Sequence, residues 1–95
     1  MGVLVMVHYR GPAEAMESGY AETARRLSVT PGLRGAELLR GTTPGDRWVL
    51  LMRWSDMDAF RTWEDDLRRR GHPSPLRPYQ DRTRPEGHYE ILVET

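Results

Sequence analysis

The chain switches twice between the two-residue period of a strand and the 3.6-residue period of a helix, and this alternation leaves few folds open. Val3 to Tyr9 is a β-branched, apolar run that ends at Gly11-Pro12, the pattern of a buried strand. Ala13 to Leu27 then places Met16, Tyr20, Ala24 and Leu27 along one helical face, with acids early and arginines late, before Thr30-Pro31-Gly32 turns the chain. Leu33 to Arg40 and Arg47 to Trp54 are strand-like and are joined by a short Gly- and Pro-containing link, so they are expected to pair antiparallel. Ser55 with Asp58 resembles a capping box. It opens a second helix carrying Met57, Phe60, Trp63 and Leu67, which stops near Gly71 after three arginines. Pro73, Pro75 and Pro78 keep the next stretch irregular apart from one turn around Leu76 to Tyr79, and His88 to Glu94 alternates as a last strand.

The order βαββαβ over residues 1–95 predicts one α+β domain of ferredoxin-like type: a four-stranded antiparallel sheet with two helices on one face. Val3, Val5, Val7 and Tyr9 share one parity on the first strand, as do Tyr89, Ile91 and Val93 on the last, while Leu4 and Met6 make the other parity apolar as well. Helices cover one face only. A second copy of a 95-residue chain is the economical cover for the other, so a homodimer closing into an α/β barrel is expected, with Tyr9 and Tyr89 at its interface.

Composition narrows the chemistry. Fourteen basic and 14 acidic residues give a net charge of zero, which argues against nucleic acid or an anionic membrane surface as ligand. The chain has no Cys, Lys or Asn, so thiolate, disulfide, iron–sulfur and Schiff-base chemistry are excluded, and every basic residue is Arg. That usage fits a high-GC bacterium. The apolar start from Met1 to Val7 is too short for a signal peptide or a membrane span, so a cytoplasmic protein is expected. His8, His72 and His88 are far apart and no metal-ligand spacing occurs, so no metal is expected. Gly-rich dinucleotide motifs are also missing, which argues against a bound flavin or nicotinamide.

Trp54-Ser55-Asp56-Met57-Asp58-Ala59-Phe60-Arg61-Thr62-Trp63 resembles the antibiotic biosynthesis monooxygenase family of dimeric α/β-barrel proteins, as does Pro31-Gly32-Leu33 before the second strand. The resemblance spans nearly the whole chain in element order. It implies a ligand cavity between helices and sheet, and activities that range from cofactor-free quinone-forming oxygenation through haem degradation to cyclisation and isomerisation. Against the anthrone-oxygenase branch, Trp54 matches, while the places of the branch's Asn and Tyr carry Leu50 and Phe60. Against the haem-degrading branch, Trp63 matches and His72 lies nine residues beyond it, past the expected helix cap, and the Asn of the first strand is absent.

The expected site follows. Leu50, Met52, Trp54, Phe60, Trp63 and His72 are the expected substrate-binding residues; Trp54 serves equally well as core, and Trp63 lies on a helical stripe that is more often core than catalyst. His8, which shares parity with Leu4 and Met6, is the expected base, and Tyr79 in the Pro-rich segment is expected to orient the ligand. Glu37 and Glu90, within strands, are the alternative carboxylate bases. The expected function is a small cofactor-independent tailoring enzyme of bacterial secondary metabolism, a monooxygenase or a cyclase/isomerase acting on an aromatic or polyketide-type substrate. It would need no cofactor beyond molecular oxygen as co-substrate. The alternatives are a haem-binding or haem-degrading monooxygenase and a non-catalytic small-ligand binder.

Overall fold

The computed structural model describes residues 2–71 and 73–95. The strands β1 (Val3–Arg10), β2 (Leu33–Arg40), β3 (Arg47–Trp54) and β4 (Gly87–Glu90) form one antiparallel sheet in the order β2-β3-β1-β4, with α1 (Ala13–Leu27) and α2 (Met57–Arg70) between them in the chain. This is the ferredoxin-like βαββαβ arrangement that the alternating periods predict.

The β1–β3 register builds the core. Val3 lies opposite Trp54, Val5 opposite Met52, Val7 opposite Leu50 and Tyr9 opposite Trp48, and all eight are buried. Paired residues project to the same side of a sheet, so the odd residues of β1 and the bulky face of β3 meet under the helices. Burying side chains of this size contributes roughly 1.5–3 kcal/mol each. The even residues Leu4, Met6 and His8 therefore lie on the opposite face, beside Arg53, Leu51 and Val49, and are only half-buried. Two expectations are corrected here: His8 does not face the helices, and Tyr9 belongs to the core and not to an outer interface. Both parities of β1 are apolar, so periodicity alone does not say which one matches the tryptophan face of β3.

Each helix docks on a specific contact. On α1 the buried residues are Met16, Gly19, Thr23 and Leu27, while Tyr20 and Ala24 of the expected stripe are half-buried. The stripe is turned toward Gly19 because Leu76 packs there; a Cβ on Gly19 would lie 2.7 Å from Leu76 Cδ2. Tyr20 instead donates its hydroxyl to the Ala36 carbonyl at 3.1 Å, tying α1 to β2. The cap of α2 is Asp56, whose carboxylate accepts from the Ala59 amide at 2.8 Å, and not the expected Ser55–Asp58 pair. Ser55 donates its own amide to Gly32 in the turn before β2, at 2.8 Å. Gly71 ends α2 in the left-handed conformation at φ 65°, as expected.

The segment after α2 is pinned across the end of the sheet. Leu76 is fully buried, Arg77–Tyr79 forms one 3-10 turn, and the Asp81 amide donates to the His8 carbonyl at 2.8 Å. Asp81 also accepts from the Thr83 hydroxyl at 2.6 Å and the Thr83 amide at 3.0 Å, bonds that hold its carboxyl below the usual carboxylate range. β4 is shorter than expected: it ends at Glu90, not Glu94. Glu90 lies opposite Val3 at the start of β1, and one further bond from Ile91 to Gly2 uses up the partner strand.

Gly32 sits at φ 86°, and a Cβ there would stand 2.5 Å from Ala59 Cβ at the start of α2. Gly32→Ala is expected to cost about 1–3 kcal/mol from backbone conformation alone, with the collision added, and chemical denaturation would measure it.

Candidate active site

Between the covered face of the sheet and α2 lies a cavity of about 510 Å³. Val7, Tyr9, Leu50 and Met52 form its floor, Phe60, Trp63, Glu64, Leu67 and Arg68 its helical wall, and Gly71, Pro73, Ser74, Arg77, Gln80, Arg82 and Glu86 its cover. The cover stays in place because Leu76 is packed on α1 and because the Ser74 and Thr23 hydroxyls lie 3.3 Å apart.

Four rings stiffen the wall. Trp54, Phe60 and Trp63 have centroids 5.6–6.1 Å apart, and the His88 imidazole lies 5.4 Å from Phe60. Edge-on and tilted contacts of this kind add roughly 0.5–1.5 kcal/mol per pair beyond simple burial. Trp54 is fully buried and does not line the cavity; it packs behind Phe60 and Trp63. Its indole N–H has no hydrogen-bond partner among the described residues. Trp48, also buried, is fixed through its own N–H to the Gly11 carbonyl at 3.0 Å.

Of the expected substrate-binding residues, the cavity brings together Leu50, Met52, Phe60 and Trp63. His72 lies outside the described residues. Tyr79 does not line the cavity; its ring is half-buried against Gly11 and the core. His8 is separated from the cavity by the sheet itself. Glu37 is exposed and ion-paired with Arg53 on the outer face, and Glu90 is exposed, so neither is the desolvated carboxylate that strand placement suggested.

The polar groups that do face the cavity are ones that strand and helix patterning passes over. Tyr9 is 6% exposed and lines the floor. Burial first, and the neighbouring Glu86 carboxylate second, push the Tyr9 phenol well above its ordinary pKa of 10.0, so it is a neutral donor at physiological pH. Glu64 and Glu86 both line the cavity. Burial raises the proton affinity of Glu64, the Glu86 carboxylate raises it further, and the Arg68 guanidinium 3.2 Å away opposes both. His88 Nε2 lies 2.6 Å from Glu86 Oε1. One sign of Glu64 was present in the sequence, since it stands four residues after Phe60 and three before Leu67 on the apolar stripe. No comparable sign marks Glu86, which the cover segment carries to the cavity.

Among the described residues there is no cluster of His, Asp or Glu suited to a metal ion, and no helix is long and apolar enough to cross a membrane. Among the described residues no histidine lines the cavity.

The family model for antibiotic biosynthesis monooxygenase matches residues 3–67, which include β1, α1, β2, β3 and α2 as far as Leu67. The chain belongs to the antibiotic biosynthesis monooxygenase family. No curated protein matches it in sequence. Among solved structures it is similar to SnoaB, a cofactor-independent oxygenase from Streptomyces nogalater, at 24% identity over 98% of this chain and 95% of that one, with a TM-score of 0.80. It is also similar to the heme-degrading protein Rv3592 from Mycobacterium tuberculosis, at 21% identity over 100% and 99% of the two chains, with a TM-score of 0.71. A third similar structure, Rv0793 from the same organism, shares 19% identity over 99% and 98%, with a TM-score of 0.68. At these identities the likeness is one of fold, and within that family fold it is the cavity's own residues that carry the chemistry.

The neutral Tyr9 phenol gives a pH signature. A group whose pKa is raised by folding stabilises the native state below its ordinary value, and that contribution is lost as pH climbs through the folded value. Stability is therefore expected to fall as pH rises above 10.0, and Tyr9→Phe is expected to flatten that alkaline limb in denaturation series at stepped pH.

Proposed function

We propose that the protein is a cofactor-independent tailoring enzyme of bacterial secondary metabolism that oxygenates a flat aromatic or polyketide-type substrate held between the sheet and α2. The observation that carries this reading is the cavity of about 510 Å³, floored by Val7, Leu50 and Met52 and walled by Phe60 and Trp63. The apolar floor and aromatic wall suit a fused-ring ligand, and the polar residues of the same lining, among them Tyr9, Arg68, Arg77 and Arg82, can orient its oxygen substituents. Membership of a monooxygenase family supports the reaction class.

The chemistry is written for an activated ring methylene. Loss of a proton leaves a carbanion or its enolate, which is electron-rich enough to pass an electron to dioxygen. Recombination and loss of water convert CH₂ and O₂ to C=O and H₂O. The apolar walls keep the radical pair away from bulk solvent. Cyclisation or isomerisation of a similar substrate would begin with the same proton loss and stop before oxygen enters.

The functional unit we propose is a homodimer acting in the cytoplasm. Leu4, Met6, Val49 and Leu51 leave an apolar strip on the outer face of the sheet, continued by Tyr89 at 57% exposure and by Leu92 and Val93 beyond β4. His8 lies in that strip, where a second copy would cover it. Sedimentation at micromolar concentration is expected to give about 22 kDa, twice the chain mass of 11.0 kDa. A stable species at the chain mass contradicts the dimer.

Oxygen uptake tests the activity. With anthrone as probe and no added metal, flavin or haem, the protein is expected to accelerate oxygen consumption and quinone formation over buffer. Trp63→Ala is expected to lower that rate at least tenfold while leaving the far-ultraviolet circular dichroism intact. A rate equal to buffer, or full activity in Trp63→Ala, contradicts the reading.

A further inference from the structure

Alongside Arg68, Arg77 and Arg82, the cavity is lined by three further ionisable groups from three separate parts of the chain. Tyr9 comes from the end of β1, Glu64 from the middle of α2, and Glu86 from the cover segment just before β4. Glu86 is tied to the aromatic wall through His88, which lies 2.6 Å from its carboxylate and 5.4 Å from the Phe60 ring.

The arrangement has the parts a proton-transfer site needs. Glu64 and Glu86 both line this space, and burial first and the Glu86 carboxylate second raise the proton affinity of Glu64, with the Arg68 guanidinium opposing them. The groups around them hold their geometry. Arg68 reaches Glu64 at 3.2 Å and is itself shared with Asp65 at 3.4 Å, while His88 holds Glu86 at 2.6 Å and leans on Phe60. Tyr9 is more than nine-tenths buried and lines the same cavity.

We propose that Glu64 and Glu86 are the proton acceptor of this cavity, and that Tyr9 donates a hydrogen bond to the ligand oxygen on which negative charge collects. In the step, a C–H or O–H bond of the ligand breaks, its electron pair stays on the ligand as an enolate or phenolate, and the proton forms an O–H bond on one carboxylate. No oxidant takes part. Tyr9 keeps its own proton throughout, as its environment requires, and acts on the charge that develops. This assigns base chemistry to two residues in place of the single histidine expected from the first strand. It rests on the cavity being the ligand site, and its test separates the two ideas.

The test is hydrogen–deuterium exchange at the ring methylene of anthrone, followed by proton NMR in deuterated buffer without oxygen, with the affinity for anthraquinone measured alongside. Anthraquinone has no exchangeable ring hydrogen and reports binding alone. The wild-type protein is expected to accelerate exchange over buffer. The double variant Glu64→Gln with Glu86→Gln is expected to lose roughly 10²-fold of that rate, the scale of a lost general base, and either single variant less. Tyr9→Phe is expected to slow exchange as well, and the Glu64 and Glu86 variants should bind anthraquinone within about twofold of wild type, a margin well under 1 kcal/mol. Wild-type exchange in the double variant, or no acceleration by a wild-type protein that does bind anthraquinone, overturns the proton-acceptor assignment and leaves the cavity standing. Failure of the wild-type protein to bind anthraquinone overturns both.

Discussion

The pairing of β1 with β3 is the constraint on which the rest depends. Eight consecutive pairs, from Val3 with Trp54 to Arg10 with Arg47, lock two strands whose alternate residues would otherwise be free to face either way. A slip of one residue would put Leu4, Met6 and His8 beneath the helices and turn Val5, Val7 and Tyr9 outward. In the observed register the three tryptophans stay on one side: Trp48 and Trp54 on the sheet, Trp63 on the helix above them. The side given to the helices therefore carries both the core and the cavity, and the other side is left as an apolar strip.

The cavity is a consequence of where the helices stop packing. α1 lies close to the sheet, with Met16 and Leu27 fully buried, and Gly19 lets Leu76 approach it. α2 buries Phe60 and leaves Trp63 and Leu67 half-covered, so its later turns stand off from Leu50 and Met52. The segment beyond Gly71 bridges the gap and brings in Glu86 and the residues around it. Space, aromatic wall and acid–base groups thus arise from one geometric fact, the divergence of α2 from the sheet.

The fold was legible in the sequence because its information is local. Periods of two and 3.6, turn residues at Pro31-Gly32 and Gly71, and the run from Trp54 to Trp63 each identify an element without reference to another. So were the apolar members of the site, Leu50, Met52, Phe60 and Trp63, because they share faces with the core. The polar members were not. Whether His8 or Tyr9 faces the helices depends on an inter-strand register that neither strand states by itself, and the placement of Glu86 depends on how an irregular, proline-containing segment folds back across β1. The short β4 has the same origin, since it ends where β1 has no more backbone to offer.

The central claim is that ligands enter between α2 and the covered face of the sheet and not on the outer face where His8 lies. Methyl chemical-shift perturbation with anthraquinone tests it directly, because the two faces of the same strands carry separate reporters. The account predicts shifts at Val7, Leu50, Met52 and Leu67, with Leu4, Met6 and Leu51 unmoved. Shifts confined to Leu4, Met6 and Leu51 would contradict it.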